Sequence, residues 1–206
     1  MPRHEDGRVQ ELTLGGHDPY VTSSGVLRNR FGLTDPADIK AAEADFVANR
    51  SAEALEYLRA QARFTFDVWK HVHRILFQDL YDWAGEPRSI NMGREGKIVF
   101  NTAAEIPMEA AAVLDRVERS ADFAAEMGSF YAEMNFQHPF REGNGRTLKL
   151  LFSAIALRRG LLIDWSRLDL EEYTGALAHW QRTLDASRIQ AVLTACARPA
   201  APEDTL

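Results

Sequence analysis

Apolar residues recur at three- and four-residue spacing along most of the chain, the pattern of helices that each bury one face. Between Phe64 and Tyr81 they stand at Phe64, Val68, Val72, Ile75, Leu76 and Leu80, which predicts an amphipathic helix. Asp35-Pro36 supplies an N-cap followed by proline at the first helical position, and opens a helix that runs to about Tyr57. Ile106-Pro107 opens another over Met108 to Ser120, and Met127 to Phe136 reads as a fourth. Leu148, Leu151, Phe152 and Ile155 predict a helix from Arg146 to Arg159, closed by two arginines at its negative pole and by Gly160 as the C′ residue. Glu171 to Leu184 is expected to be the last long helix. The pattern changes over Ser89 to Phe100, where two short strands around Gly93-Arg94-Glu95-Gly96 predict a hairpin. The expected fold is mainly α, a compact helical domain with one small β-hairpin.

Composition adds boundaries. With 206 residues the chain is long enough for one domain with a sizeable core, and no internal repeat is visible. The expected organisation is a lead-in over residues 1–34, the helical domain over 35–197 and a Pro- and Ala-rich, disordered tail over 198–206. A net charge of −6 argues against direct contact with nucleic acid, which normally needs a basic surface. The single cysteine, Cys196, cannot form an internal disulfide and is expected to be inert in a reducing compartment. The first residues lack an apolar leader core and no run is long enough to span a bilayer, so a cytoplasmic setting without a membrane partner is the expectation.

The chemistry concentrates in His138-Pro139-Phe140-Arg141-Glu142-Gly143-Asn144-Gly145-Arg146-Thr147. An imidazole such as His138 is a natural general base for a hydroxyl. Glu142 is a hard oxygen ligand suited to Mg²⁺, which takes one or two carboxylates together with phosphate oxygens. Gly143-Asn144-Gly145 lies where the following helix begins, so backbone N–H groups and the positive end of the dipole favour an anion there. Arg146 adds a fixed charge and a bidentate fork. A polyphosphate fits this set. Taken singly, His-Pro-Phe is the end of a helix and Gly-Asn-Gly a turn; the specificity lies in their order and spacing.

The same residues fill HxFx(D/E)GNGRxxR, and the chain thereby resembles the Fic domain family. The stretch Ile75 to Arg88 is similar to that family's LF-x-D-x-Y-x-WAG-x-x-R segment, and Tyr20 to Asp35 to its lead-in. The resemblance implies a helical enzyme that transfers AMP from ATP, with Mg²⁺, to a protein hydroxyl. It makes His138 the base, Glu142 the Mg²⁺ anchor and Phe140 a plug beneath the loop. Gly143, Asn144, Gly145 and Arg146 hold the phosphates. The final arginine of the signature, which grips the γ-phosphate in the family, is Lys149 here, a point charge without the planar fork. The hairpin takes the position of the family's flap. There Asn91, Met92, Gly93, Arg94, Glu95, Gly96 and Lys97 would offer a strand edge to an extended target.

The family's inhibitory pattern (S/T)xxxE(G/N) occurs at neither end of this sequence. By resemblance this implies a separate antitoxin chain that brings the inhibitory helix, and a toxin whose targets include DNA gyrase or topoisomerase IV. Two alternatives stay open. One is another phosphate transfer of kinase type, against which Gly145 counts because kinase-like relatives carry lysine there. The other is a silent protein-binding module. The remaining singletons read as structural: His71 and His73 face different directions on one helix, His17 and His179 lack ligand partners, and the four tryptophans read as packing.

Overall fold

The computed structural model describes residues 11–14, 16–94 and 98–204. Its first helix, α1 (Pro36–Arg59), starts as the sequence predicts: Asp35 accepts from the Ala37 N–H and Pro36 occupies the first turn. α2 (Phe66–Phe77) is capped by Thr65, which accepts from the Val68 N–H, and it buries Trp69, Val72, His73, Leu76 and Phe77. α3 (Ile106–Arg119) and α4 (Phe123–Gln137) follow, the latter capped by Asp122. α5 (Asn144–Arg158) buries Leu148, Leu151, Phe152 and Ile155 and ends at Gly160, whose φ of 77° is the left-handed conformation expected of a C′ glycine. α6 (Leu170–Thr183) and α7 (Ser187–Cys196) complete seven helices among the described residues. α1 packs on α2, α2 on α5, and α4 lies against α3, α5 and α7.

α7 corrects the expectation that the helix ending near Leu184 is the last long one. Ile189, Leu193 and Cys196 face the core at helical spacing, and the start is marked one position early: Asp185, not Ala186, accepts from the Ser187 N–H at 2.9 Å.

The hairpin is present and extended. β2 (Met92–Arg94) pairs antiparallel with β3 (Ile98–Val99), with Gly93 opposite Val99 and Arg94 opposite Ile98. Gly93 and Arg94 are therefore strand residues rather than turn residues, because β1 (Glu11–Thr13) pairs on the other side and holds them extended. The connection falls on residues 95–97, so Glu95, Gly96 and Lys97 of the expected flap lie outside the described residues. The sheet order is β1-β2-β3, with β2 central. The tail is also corrected. β5 (Ala197–Pro199) pairs with β4 (Leu161–Ile163), and Arg198 forms a bidentate pair with Asp204, so residues 198–204 are tied down. No described helix is long and apolar enough to cross a membrane.

Candidate active site

The functional loop is built between the end of α4 and the start of α5. His138 is the C-cap of α4 in the left-handed region, φ 43° and ψ 58°, a conformation that is uncommon for any residue with a Cβ. Neighbours hold it there. Arg88 Nε donates to the His138 carbonyl at 2.8 Å, and the Phe100 ring lies on the imidazole with centroids 3.7 Å apart and planes 7° from parallel. The histidine is 2 % exposed. Phe140 is fully buried and stacks on His73 at 3.8 Å, which matches the plug expected beneath the loop.

Asn144 closes the loop on itself. Its Oδ1 accepts from the Phe140 N–H and its Nδ2 donates to the Phe140 carbonyl, at 2.8 and 2.7 Å. The side chain thus shapes the turn, while its backbone N–H belongs to the first turn of α5. Gly143 is the N-cap at φ 81°, and no side chain caps the helix. First-turn donors are thereby left for an anion. A Cβ at Gly143 would stand 2.3 Å from Phe77 Cζ, whereas one at Gly145 would meet nothing within 4 Å.

The charged groups form a linked set. Arg146 Nη2 donates to Glu43 Oε2 at 2.5 Å, approaches Glu142 Oε1 at 3.4 Å, and its guanidinium lies 4.8 Å above the Phe77 ring. Glu43, on α1, also accepts from the Tyr81 hydroxyl. Burial, followed by the Glu43 charge, holds the Tyr81 phenol in its neutral form. Glu142 Oε1 accepts from the Gly143 N–H at 2.8 Å, which leaves the carboxylate on the open side of the loop, 36 % exposed.

His73 holds the loop from below. Its Nδ1 accepts from the Gly85 N–H at 2.8 Å, so the proton sits on Nε2, which donates to the Glu142 carbonyl at 2.9 Å. Burial pushes its pKa down to about 3, with the Arg146 charge adding to that and the Glu142 hydrogen bond opposing it. Arg141 Nε meets Asp18 at 2.9 Å in a pair whose side chains are 11 and 9 % exposed. Burial alone would raise the Asp18 pKa, but donors from Thr13, the Tyr20 N–H and Arg141 outweigh it and hold the carboxyl below its ordinary range. Lys149 lies one turn beyond Arg146, its Nζ 5.2 Å from the Trp165 ring and 5.6 Å from the Tyr173 ring. Lys149 and Arg146 together line a cavity of about 260 Å³ with Val47, Ser51, Leu76 and Trp165.

His138, Glu142, Gly143, Asn144, Gly145 and Arg146 therefore converge on one loop. The described flap residues reach it through Phe100. Glu43, His73, Arg88 and Asp18 are site residues that the motif does not announce. His73 carried one usable signal, a position in register with Trp69 and Phe77 on the apolar face of α2.

Comparison with known proteins identifies the family. The Fic/DOC family model matches residues 63–156, from the start of α2 into α5. The protein adenylyltransferase VbhT of Bartonella schoenbuchensis is 33% identical over 171 residues, covering 79% of this chain and 35% of VbhT, so the chain spans about a third of that relative's length. The probable protein adenylyltransferase y4lH of Sinorhizobium fredii is 33% identical over 161 residues, covering 74% of this chain and 81% of that protein. The crystal structure of BepC, a VirB-translocated effector of Bartonella tribocorum with bound AMPPNP, has the same fold, with a TM-score of 0.75 at 17% identity over 88% of this chain and 97% of that one. With the signature loop built on α4 and α5 and a third of its residues shared across most of y4lH, this chain belongs to the Fic/DOC family.

Proposed function

We propose that the chain transfers AMP from ATP to a hydroxyl side chain of a target protein. The observation that supports this most is an imidazole locked at the end of α4 beside an uncapped helix N-terminus. His138 takes the proton of the target hydroxyl as its oxygen attacks the α-phosphorus. The bond from that phosphorus to the oxygen bridging the β-phosphate breaks, and pyrophosphate leaves with the electron pair. The amides of the Gly143-Asn144-Gly145 turn hold the phosphate charge, Arg146 adds a guanidinium, and Lys149 supplies a point charge for the distal phosphates. The names of VbhT and y4lH agree with this chemistry, as does the nucleotide analogue bound to BepC.

Among the described residues no three His, Cys, Asp or Glu side chains converge as a metal site. A single carboxylate completed by phosphate oxygens and water suits Mg²⁺. Glu142 would hold the ion, which when bound would neutralise charge on the leaving phosphates.

The hairpin that begins at Asn91 serves as the docking site, through its outer strand β3. β1 already occupies one side of β2, so an extended target would add to β3, whose Val99 is 54 % exposed. In the cytoplasm the chain acts as a growth-arresting toxin, with DNA gyrase or topoisomerase IV as target. A separate antitoxin restrains it by seating a helix in the apolar-walled cavity beside Lys149 and offering that lysine a carboxylate.

The test is incubation of a bacterial lysate, supplemented with gyrase and Mg²⁺, with ATP labelled at the α- or the γ-phosphate. Label from the α-position alone, lost in His138→Ala, supports AMP transfer. Label from the γ-position points to a kinase, and none from either to a binding module.

A further inference from the structure

Arg88 ends the WAG-x-x-R stretch and is 2 % exposed, a guanidinium enclosed in the fold. Its donors go to backbone carbonyls from two parts of the molecule. Nη1 donates to Ile90 and Nη2 to Asn101, both at 2.5 Å, and these residues are the two roots of the hairpin. Nε donates to His138 at 2.8 Å and Nη2 reaches Gln137 at 3.4 Å, both at the end of α4 where helix carbonyls lack internal partners. The Arg88 N–H adds a bond to Pro139. The Asn101 N–H closes the circuit by donating to Phe136, one helical position before Gln137.

We propose that Arg88 is a positioning residue for the transfer: one planar fork fixes the distance between the hairpin and the turn that carries His138. A target segment paired to the hairpin is then held in register with the base, and the left-handed turn at His138 is kept from relaxing. The fork matters as much as the charge, because an ammonium cannot reach carbonyls on both sides at once. The inference rests on the hairpin being the docking edge.

The experiment compares wild type with Arg88→Lys and Arg88→Gln, and with Leu193→Ala as a matched destabilising change in α7, all well below their unfolding temperatures. Four quantities are read: unfolding temperature, affinity for ATP-Mg²⁺ by calorimetry, amide exchange, and α-label transferred to lysate proteins. Arg88→Lys is expected to keep ATP affinity within about threefold while transfer falls about tenfold or more. Exchange at the Phe100 and Asn101 amides is expected to rise about tenfold, with α2 and α5 unchanged. Leu193→Ala should leave the hairpin roots protected. The proposal is overturned if those two amides exchange as in wild type, or if transfer falls only as far as Leu193→Ala lowers it at equal stability. Should Arg88→Gln fail to fold, Arg88→Lys carries the decision. If the wild-type chain transfers no label, the function reading fails, and exchange alone decides whether Arg88 couples hairpin and turn.

Discussion

Glu43 and Arg146, 103 residues apart in sequence, meet at 2.5 Å and join α1 to the first turn of α5. Glu43 is 7 % exposed and also receives the Tyr81 hydroxyl, so its carboxylate joins two side chains from different parts of the chain. Glu43→Ala is expected to destabilise the chain by about 3 kcal/mol in urea unfolding. A double-mutant cycle with Arg146→Gln should return a coupling of about 1–2 kcal/mol, reduced from a fully buried pair because Arg146 is partly exposed. A coupling near zero would mean the contact is incidental.

Gly143 and Gly145 should respond to alanine in opposite ways. At Gly143 the positive φ and the Phe77 ring forbid a Cβ, so Gly143→Ala is expected to lose about 3 kcal/mol or fail to fold. At Gly145 there is open space within a helix, so Gly145→Ala should raise stability by about 0.5–1 kcal/mol. The same methyl group would intrude where phosphate approaches the backbone, and ATP affinity should fall about tenfold or more. Unchanged ATP binding in a stable Gly145→Ala chain would remove that loop from the phosphate site.

His73 makes stability sensitive to acid. Its folded pKa lies at about 3 against about 6.5 in the unfolded chain, so below pH 6.5 the unfolded state binds a proton that the native state refuses. The stabilisation is complete above pH 6.5 and drains away as pH falls toward 3. Between pH 7.5 and 5 the loss from this one group is on the order of 2 kcal/mol. Urea midpoints at the two pH values should converge in His73→Gln relative to wild type. An equal pH slope in both chains would show that the imidazole is not held neutral.

Lys149→Arg tests the departure from the signature. The arginine restores a planar fork one turn beyond Arg146, and kcat/KM for ATP is expected to rise by up to about tenfold. The neighbouring Trp165 and Tyr173 rings accept a guanidinium as well as an ammonium, so the fold should tolerate the change. No gain would indicate that this position does not contact the nucleotide.

Growth of a bacterial host gives the cellular check. Expression of the chain alone is expected to arrest division, and His138→Ala to restore it at equal protein level. Equal growth with both chains would count against the toxin reading.

The chemistry was legible because His138, Glu142, the glycines and Arg146 are neighbours in sequence, and short-range order alone brings them together. The partners that hold them were not. Asp18, Glu43, His73 and Arg88 reach the loop from other elements; nothing local marks an acid among alanines on α1, and the segment that ends at Arg88 announced the fold but not this contact. Helix starts with the cap directly before the first helical residue, such as Asp35, were readable; α7, whose capping Asp185 stands one residue further back, was not. β1, three residues long, is too short for any period to show, yet it pairs with Met92, Gly93 and Arg94 and makes β2 the central strand.

The ion pair between Asp18 and Arg141 joins positions 123 residues apart, and the same aspartate collects the Thr13 hydroxyl at the end of β1. A nascent chain has β1 outside the ribosome well before residue 141 is made, so this contact can form only after residue 141 has itself emerged. Asp18 thus waits for a partner 123 positions further along, and a translation product that stops before residue 141 would lack the clasp that ties the lead-in to the loop.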